Sequence, residues 1–308
     1  MTAQPQIPVQ PVEKSKRQLW MAAIKPPMYS VAIIPVWVGS AIAFAETRHF
    51  DGPIFFTFLA AAISIIAWMN LTNDAFDADT GIDANKAHSV VNLTGNQPLV
   101  LNLGNLCLAL ALLALAAISW WQQDPTVFAL MLVGCFLGYT YQGPPFRLGY
   151  QGLGEIICFL CFSIGGIAIY YSQTQTQSLT NLAASIIVAI VTSLILFCSH
   201  FHQLEDDLTA GKRSPIVRLG TARAAQLLPW LGGSLYALTV ACIALQLFPI
   251  WTLLVFLSLP FLIVLCRHVG AYHDQPNKVS NCKFIAVALH FSSGLLLSLG
   301  FLLSALIN

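Results

Sequence analysis

Asp74, Asp77, Asp79 and Asp83 put four carboxylates into ten residues, directly after an apolar run long enough to cross a bilayer. Only 9% of the 308 residues are charged, so charge is concentrated here. Ionisable groups at a membrane boundary mark chemistry by default. If the end of the run stays helical, Asn70, Asn73, Asp74 and Asp77 stand at i, i+3, i+4 and i+7 on one face. Asp79 then points elsewhere, Gly81 ends the helix, and Asp83 returns from the loop. Carboxylates and amide oxygens are the ligands of a hard divalent cation, and Mg²⁺ prefers a few carboxylates completed by water and phosphate oxygens. Four acids with no cation would repel one another, so a bound metal is the economical expectation.

A second cluster runs from His200 to Asp207, with Glu205 and Asp206 beside Asp207 and with Gly211, Lys212 and Arg213 just beyond. Gln203 and Asp207 are four apart and share a helix face. Acids for a metal, next to cations for phosphate oxygens, describe a diphosphate site. Two such clusters on one membrane face would bracket a single diphosphate between two Mg²⁺ ions. His200 and His202 diverge on a helix and cannot chelate together. For His202 a pocket role and an interfacial hydrogen bond both remain open. His49, His88, His268 and His273 read as surface residues, and His290 as a packed histidine with a hydrogen bond.

Between the clusters lies a joint from Gly138 to Glu155 in which Pro144 and Pro145 break the helix. Arg147 stands within reach of a phosphate. Tyr139 and Tyr141 either shelter a carbocation with their π faces or anchor the chain at the membrane interface. Glu155 opens the next apolar run, where the helix dipole alone accounts for a carboxylate. Solvated interface groups would explain any single Asp here, but not Asn70, Asp74, Asp77 and Asp83 together with a second cluster on the same face.

These groups must be held by membrane helices. The chain is 57% hydrophobic with mean hydropathy +0.73, which excludes a soluble fold. Apolar runs predict spans at 27–45, 53–73, 101–121, 126–141, 152–171, 182–201, 222–245, 250–267 and 284–306. The fold class is therefore all-α: a polytopic membrane protein with nine transmembrane helices in one bundle. Residues 1–18 form a disordered N-terminal tail and 19–308 the helical domain. With the N-terminus inside, thirteen of the fourteen Lys and Arg residues fall on the inner side and only Arg48 falls outside, as positive-inside topology expects. Cys158 and Cys161 have metal-knuckle spacing, but they lie in an apolar helix without a second pair. The eight cysteines read as small packing groups. The net charge of +1 does not point to nucleic acid, and the chain has no basic tract of the kind a phosphate backbone needs, so no nucleic-acid partner is expected.

The whole chain resembles the UbiA-type intramembrane aromatic prenyltransferases. The resemblance rests on Asn70, Asn73, Asp74, Asp77 and Asp83 in a first motif, and on Asp207, Gly211–Arg213 and Val217–Gly220 in a second. Gln203 stands where that family's second motif has an aspartate, so Glu205 or Asp206 is expected to compensate. The joint from Tyr139 to Glu155 and the segment from Asp79 to His88 are similar to the naphthoate branch. The segments 200–203 and 212–220 are similar to the phylloquinone-forming members of oxygenic phototrophs. The resemblance implies Mg²⁺, two ions in the family pattern, and an isoprenoid diphosphate donor. It also implies a dihydroxynaphthoate acceptor that loses CO₂, in menaquinone or phylloquinone biosynthesis. It makes Asp74, Asp77 and Asp207 catalytic and Asn70, Asp74, Asp77, Asp83 and Asp207 the metal set. Asn70, Asn73, Tyr139, Tyr141, Arg147, Glu155, His202, Gln203, Lys212 and Arg213 fall to the substrates. The expected location is the inner, plasma or thylakoid membrane, with a cytoplasmic N-terminus.

Three other readings stand beside this one. A transporter would place its polar groups on broken helices near the bilayer midplane, whereas these acids gather at helix ends beside Lys212 and Arg213. A phosphatidyl-alcohol phosphotransferase would carry an Asp-Gly-x-x-Ala-Arg signature, which is absent. A sister prenyltransferase would differ only in its acceptor: homogentisate, hydroxybenzoate, chlorophyllide or haem.

Overall fold

The computed structural model describes residues 15–82, 86 and 89–307. Among these residues all regular structure is helical, and eight helical segments are long and apolar enough to cross a membrane. A further apolar helix, Thr126–Gln142, has 17 residues and is shorter. The chain is an all-α, multi-pass integral membrane protein. In order the helices are α1 (Lys16–Ile24), α2 (Ser30–Thr47), α3 (Gly52–Thr80), α4 (Val90–Thr94), α5 (Gln97–Gln122), α6 (Thr126–Gln142) and α7 (Gly154–Thr174). There follow α8 (Leu179–Ser199), α9 (Leu204–Thr209), α10 (Pro215–Leu219), α11 (Thr221–Ala244), α12 (Leu259–Tyr272), α13 (Pro276–Val279) and α14 (Cys282–Ile307).

Most expected spans match these helices to within a few residues. Three differ in ways that have local causes. Residues 1–14 of the expected tail lie outside the described residues, and 16–18 already belong to α1, where Ser15 and Gln18 close a capping box. The second span does not stop at its last apolar residues but continues as helix to Thr80, with Gly81 as its left-handed cap at φ 74°. The eighth span starts as a 3₁₀ segment, Ile250–Ser258, before α12 continues it.

Two hydrophobic cores lie side by side. In one, Phe58 of α3 and Leu115 and Ile118 of α5 meet Met131 of α6 and Ile169 of α7. In the other, α8, α11, α12 and α14 close around Leu194, Leu228, Leu265 and Leu289. Helices α2 and α7 supply residues to both, Val36 and Ile169 to the first and Val38 and Tyr170 to the second. The outward faces are as apolar as the cores: Leu103, Leu106, Leu110 and Leu113 on α5 are all exposed, as lipid contact allows and water does not.

The polar groups sort to the two ends of the bundle. At one end Tyr170 donates to Glu46, Tyr171 to Asp124 (2.7 Å), and Gln173 is paired with the backbone of Asp51. Both acidic clusters lie at the other, where α3, α6 and α8 finish and α5, α7 and α11 begin.

Candidate diphosphate site

Because α3 stays helical past its apolar stretch, Asn70, Asn73, Asp74 and Asp77 share a face as the spacing requires. Asp74 is 1% exposed and is already held. Lys86 Nζ lies 3.3 Å and Lys25 Nζ 3.9 Å from its Oδ1, and the Val90 N–H donates to Oδ2 at 2.8 Å. Asp77 accepts from the Asn73 amide on one oxygen and from the Tyr150 hydroxyl on the other, at 2.8 Å. Asp79 turns away from this face, to Gln97 (2.7 Å) and Arg147 (3.7 Å). Repulsion among these acids is therefore relieved in part by the chain's own cations, Lys25, Lys86 and Arg147. The economical expectation of a bound metal thus does not rest on repulsion alone. Asp83 and His88 lie outside the described residues.

The second cluster is not one continuous helix. α8 ends at Ser199, His200 is its cap, and α9 begins at Leu204. Gln203 keeps its four-residue relation to Asp207 because its carbonyl accepts the Asp207 N–H at 2.8 Å. Asp207 is fully buried, while Glu205 and Asp206 are exposed on the outside of the turn. The break at residues 200–203 folds His200 back, so that its Nδ1 lies 3.0 Å from Asp207 Oδ2 and its Nε2 3.5 Å from Glu155 Oε1. Lys212 Nζ stands 3.5 Å from Asp207 Oδ1. Burial pushes the Asp207 carboxyl up, but the His200 hydrogen bond and the Lys212 charge outweigh it, leaving the group below its ordinary value.

The α6–α7 joint ties the clusters together. Gly149 and Gly154 lie against the Tyr141 ring, where an added Cβ would come within 2.7 and 2.8 Å of it. Gly152, at φ 82°, lets the chain turn against the Arg213 carbonyl and the Arg218 guanidinium. Arg218 donates to the Gln151 carbonyl, and the Arg213 N–H donates to the Tyr150 carbonyl at 2.8 Å. Lys212 Nζ stands 5.7 Å from the centre of the Tyr150 ring.

Several expected site residues are used differently. Tyr139 donates to the Pro144 carbonyl at 2.6 Å and stacks edge-on with Phe76, so it braces the joint. Arg147 takes a left-handed backbone, φ 43°, and faces Asp79. Arg213 is exposed, and what its position fixes is the backbone link to Tyr150. His202 lies 3.5 Å from Lys283 Nζ, and His290 is buried against the Thr192 hydroxyl at 3.0 Å. Tyr150, Lys25 and Lys86 carry no site signal in the sequence, and His200 stands there only as a residue that cannot chelate with His202. Tyr150 and His200 owe their positions to a turn and a helix break, and the two lysines approach from separate segments, so periodicity carries no trace of them.

Among the described residues, no three His, Cys, Asp or Glu side chains converge to hold a metal by themselves. The donor set nevertheless fits a hard cation. Asp207 Oδ1 and Glu155 Oε1 are buried and accept no hydrogen bond among the described residues, each facing only a Lys212 or His200 nitrogen 3.5 Å away. Buried oxygens of this kind are rarely left unmatched, and few carboxylates completed by phosphate oxygens is the Mg²⁺ pattern.

Residues 32–306 match the UbiA prenyltransferase family. The chain is 57% identical over 286 residues to the 2-carboxy-1,4-naphthoquinone phytyltransferase of Synechocystis sp., covering 92% of this chain and 93% of that one. It is 39% identical to the chloroplastic enzyme of the same name from Arabidopsis thaliana, over 95% of this chain and 79% of that one. Among solved structures, a UbiA homologue from Archaeoglobus fulgidus is 19% identical with TM-score 0.64, covering 91% of this chain and 99% of that one. The same homologue, bound to DMAPP and Mg²⁺, superposes with TM-score 0.53, at the same identity and coverage. With nearly its whole length inside the match, this chain belongs to the UbiA prenyltransferase family.

Proposed function

We propose that this chain transfers a phytyl group from its diphosphate to a 1,4-dihydroxy-2-naphthoate or 2-carboxy-1,4-naphthoquinone acceptor, with loss of CO₂. This is the step that leads to phylloquinone, or with a polyprenyl donor to menaquinone. One observation carries the diphosphate half of the reading. Two separate acidic segments, Asn70–Asp77 and Gln203–Asp207, meet at one end of the bundle through Tyr150, with Lys212 between them. The acceptor and the phytyl chain rest on the likeness to the two phytyltransferases.

In this reading Asn70, Asp74, Asp77 and Asp83 hold one Mg²⁺, and Asp207 with Gln203 a second, weaker one. Bound there, Mg²⁺ supplies Lewis-acid neutralisation of the diphosphate oxygens. Lys212, beside both Asp207 and Tyr150, balances the charge that develops as the C–O bond to the diphosphate breaks. Tyr141 and the apolar helix faces around it keep water from the allylic cation. The electron-rich ring forms the new C–C bond at the carbon bearing the carboxylate. The electron pair left by departing CO₂ restores aromaticity. The long tail lies among helices open to lipid.

The positive-inside count supports a cytoplasmic side for the N-terminus and both clusters, in a plasma, inner or thylakoid membrane. The deciding experiment incubates membranes containing the protein with dihydroxynaphthoate, homogentisate or hydroxybenzoate and a panel of isoprenoid diphosphates. CO₂ release and a prenylated naphthol with phytyl diphosphate are expected. Product with homogentisate or hydroxybenzoate alone would replace the acceptor.

A further inference from the structure

Tyr150 belongs to neither acidic motif, yet it touches both. Its hydroxyl lies 2.8 Å from Asp77 Oδ1 and 2.7 Å from Thr80 Oγ1. Its carbonyl accepts the Arg213 N–H, and its ring lies beneath Lys212. The phenol has one proton to give. A carboxylate is a stronger acceptor than a hydroxyl, so Tyr150 donates to Asp77 and Thr80 completes the chain by donating to Tyr150 or to the Asp77 carbonyl. An ordinary phenol keeps its proton at neutral pH, so the Tyr150 hydroxyl is a donor there.

With Asn73 on the other oxygen, Asp77 is clamped on both sides. A carboxylate is otherwise free to rotate about its last bond. Donors on both oxygens leave their remaining lone pairs aimed in fixed directions, which is how hydrogen-bonded partners orient a metal ligand. The same residue, through its carbonyl and ring, fixes the backbone that presents Lys212 and Arg213.

We infer that Tyr150 is a positioning residue that presets Asp77 for its metal and registers the phosphate-neutralising loop of the second motif against it. The inference rests on the proposed diphosphate site and adds to it a residue outside both motifs. Tyr150→Phe removes one hydroxyl and leaves the ring under Lys212 and the backbone link to Arg213 in place.

The test is calorimetric titration of the purified full chain in nanodiscs with inorganic pyrophosphate at a series of Mg²⁺ concentrations. For Tyr150→Phe the Mg²⁺ needed for half-maximal pyrophosphate binding is expected to rise about tenfold, the scale of losing a hydrogen-bonded partner of a metal ligand. Binding should return to the wild-type level at saturating Mg²⁺, with the thermal midpoint unchanged. A residue that merely supports the fold would lower the midpoint and would not be rescued by metal. Thr80→Val, which removes the hydroxyl that holds the Tyr150 oxygen, is expected to shift the Mg²⁺ requirement in the same direction by a smaller factor. Wild-type Mg²⁺ dependence in both variants would overturn the role of Tyr150 and leave the diphosphate site standing. A wild-type protein that binds no pyrophosphate with Mg²⁺ would overturn both.

Discussion

Asp207 and Glu205 are two residues apart, and the fold treats them oppositely. Asp207 is fully buried against His200 and Lys212, whereas Glu205 projects outward from α9. Asp207→Asn keeps the side-chain shape and deletes one negative charge. For unit charges 3.5 Å apart, as Lys212 Nζ and Asp207 Oδ1 are, the gross attraction at an effective dielectric of 20 is about 5 kcal/mol. Desolvation offsets most of that, and hydrogen bonds to charged groups retain about 1.5–3 kcal/mol net. A dication coordinated by the same oxygen should lose at least the upper figure, so transfer should fall by about 100-fold or more. Glu205→Gln changes an exposed charge and should stay within about twofold. The assay is the initial rate of prenyl transfer in nanodiscs against Mg²⁺, with a thermal scan of each variant. Asparagine can still pair with His200, so the Asp207→Asn fold should survive. Equal tolerance of Asp207→Asn and Glu205→Gln would refute the reasoning and leave α3 as the only acidic segment with a claim to metal.

Asp74→Ala should abolish turnover and also loosen the Val90 end of α4, since it removes the acceptor of the Val90 N–H and the carboxylate that Lys86 and Lys25 face; Asp74→Asn should be equally inactive but fold normally, as amide exchange around Val90 would report. EDTA should stop transfer by the wild type, and added Mg²⁺ should restore it. Hydrogen bonds from the Thr126 and Tyr171 hydroxyls and the Thr126 N–H hold the Asp124 carboxyl below its ordinary range. A depressed folded value means its contribution is present above the unfolded value and is lost as pH falls through the folded one, so wild type and Asp124→Asn should differ in thermal midpoint near neutral pH and converge as acid protonates the folded carboxyl. Gly300→Ala should cost about 3 kcal/mol or more, because the new Cβ would sit 2.6 Å from the Thr252 backbone and not against a side chain that can move; an unchanged midpoint would show that the packing of α14 on the 3₁₀ segment is looser than drawn. Cysteines at Lys16 and Glu205 should react with an impermeant reagent from the same side, and one at Thr176 from the other; labelling of Lys16 and Glu205 from opposite sides would dismantle the bipartite site.

The sequence by itself determined the all-helical membrane fold, because a chain with 9% charge and repeated twenty-residue apolar runs has no other way to satisfy its backbone in lipid. It also determined that Asn70, Asn73, Asp74 and Asp77 share a face, since helical periodicity is a local property that survived past the apolar run to Gly81. Only the tertiary structure decided which acids are buried. Asp207 and Glu205 are alike in composition and neighbourhood, and what separates them is the chain reversal at residues 200–203, which turns one toward His200 and the other toward solvent. Tertiary structure likewise took Arg147 to Asp79 and Tyr139 to the Pro144 carbonyl, uses that a count of charges and rings cannot foresee. Tyr150 is the clearest case. Its link from Asp77 to Arg213 spans residues 73 and 63 positions away, and contacts at that separation are set by how helices pack, which periodicity within any one helix does not encode.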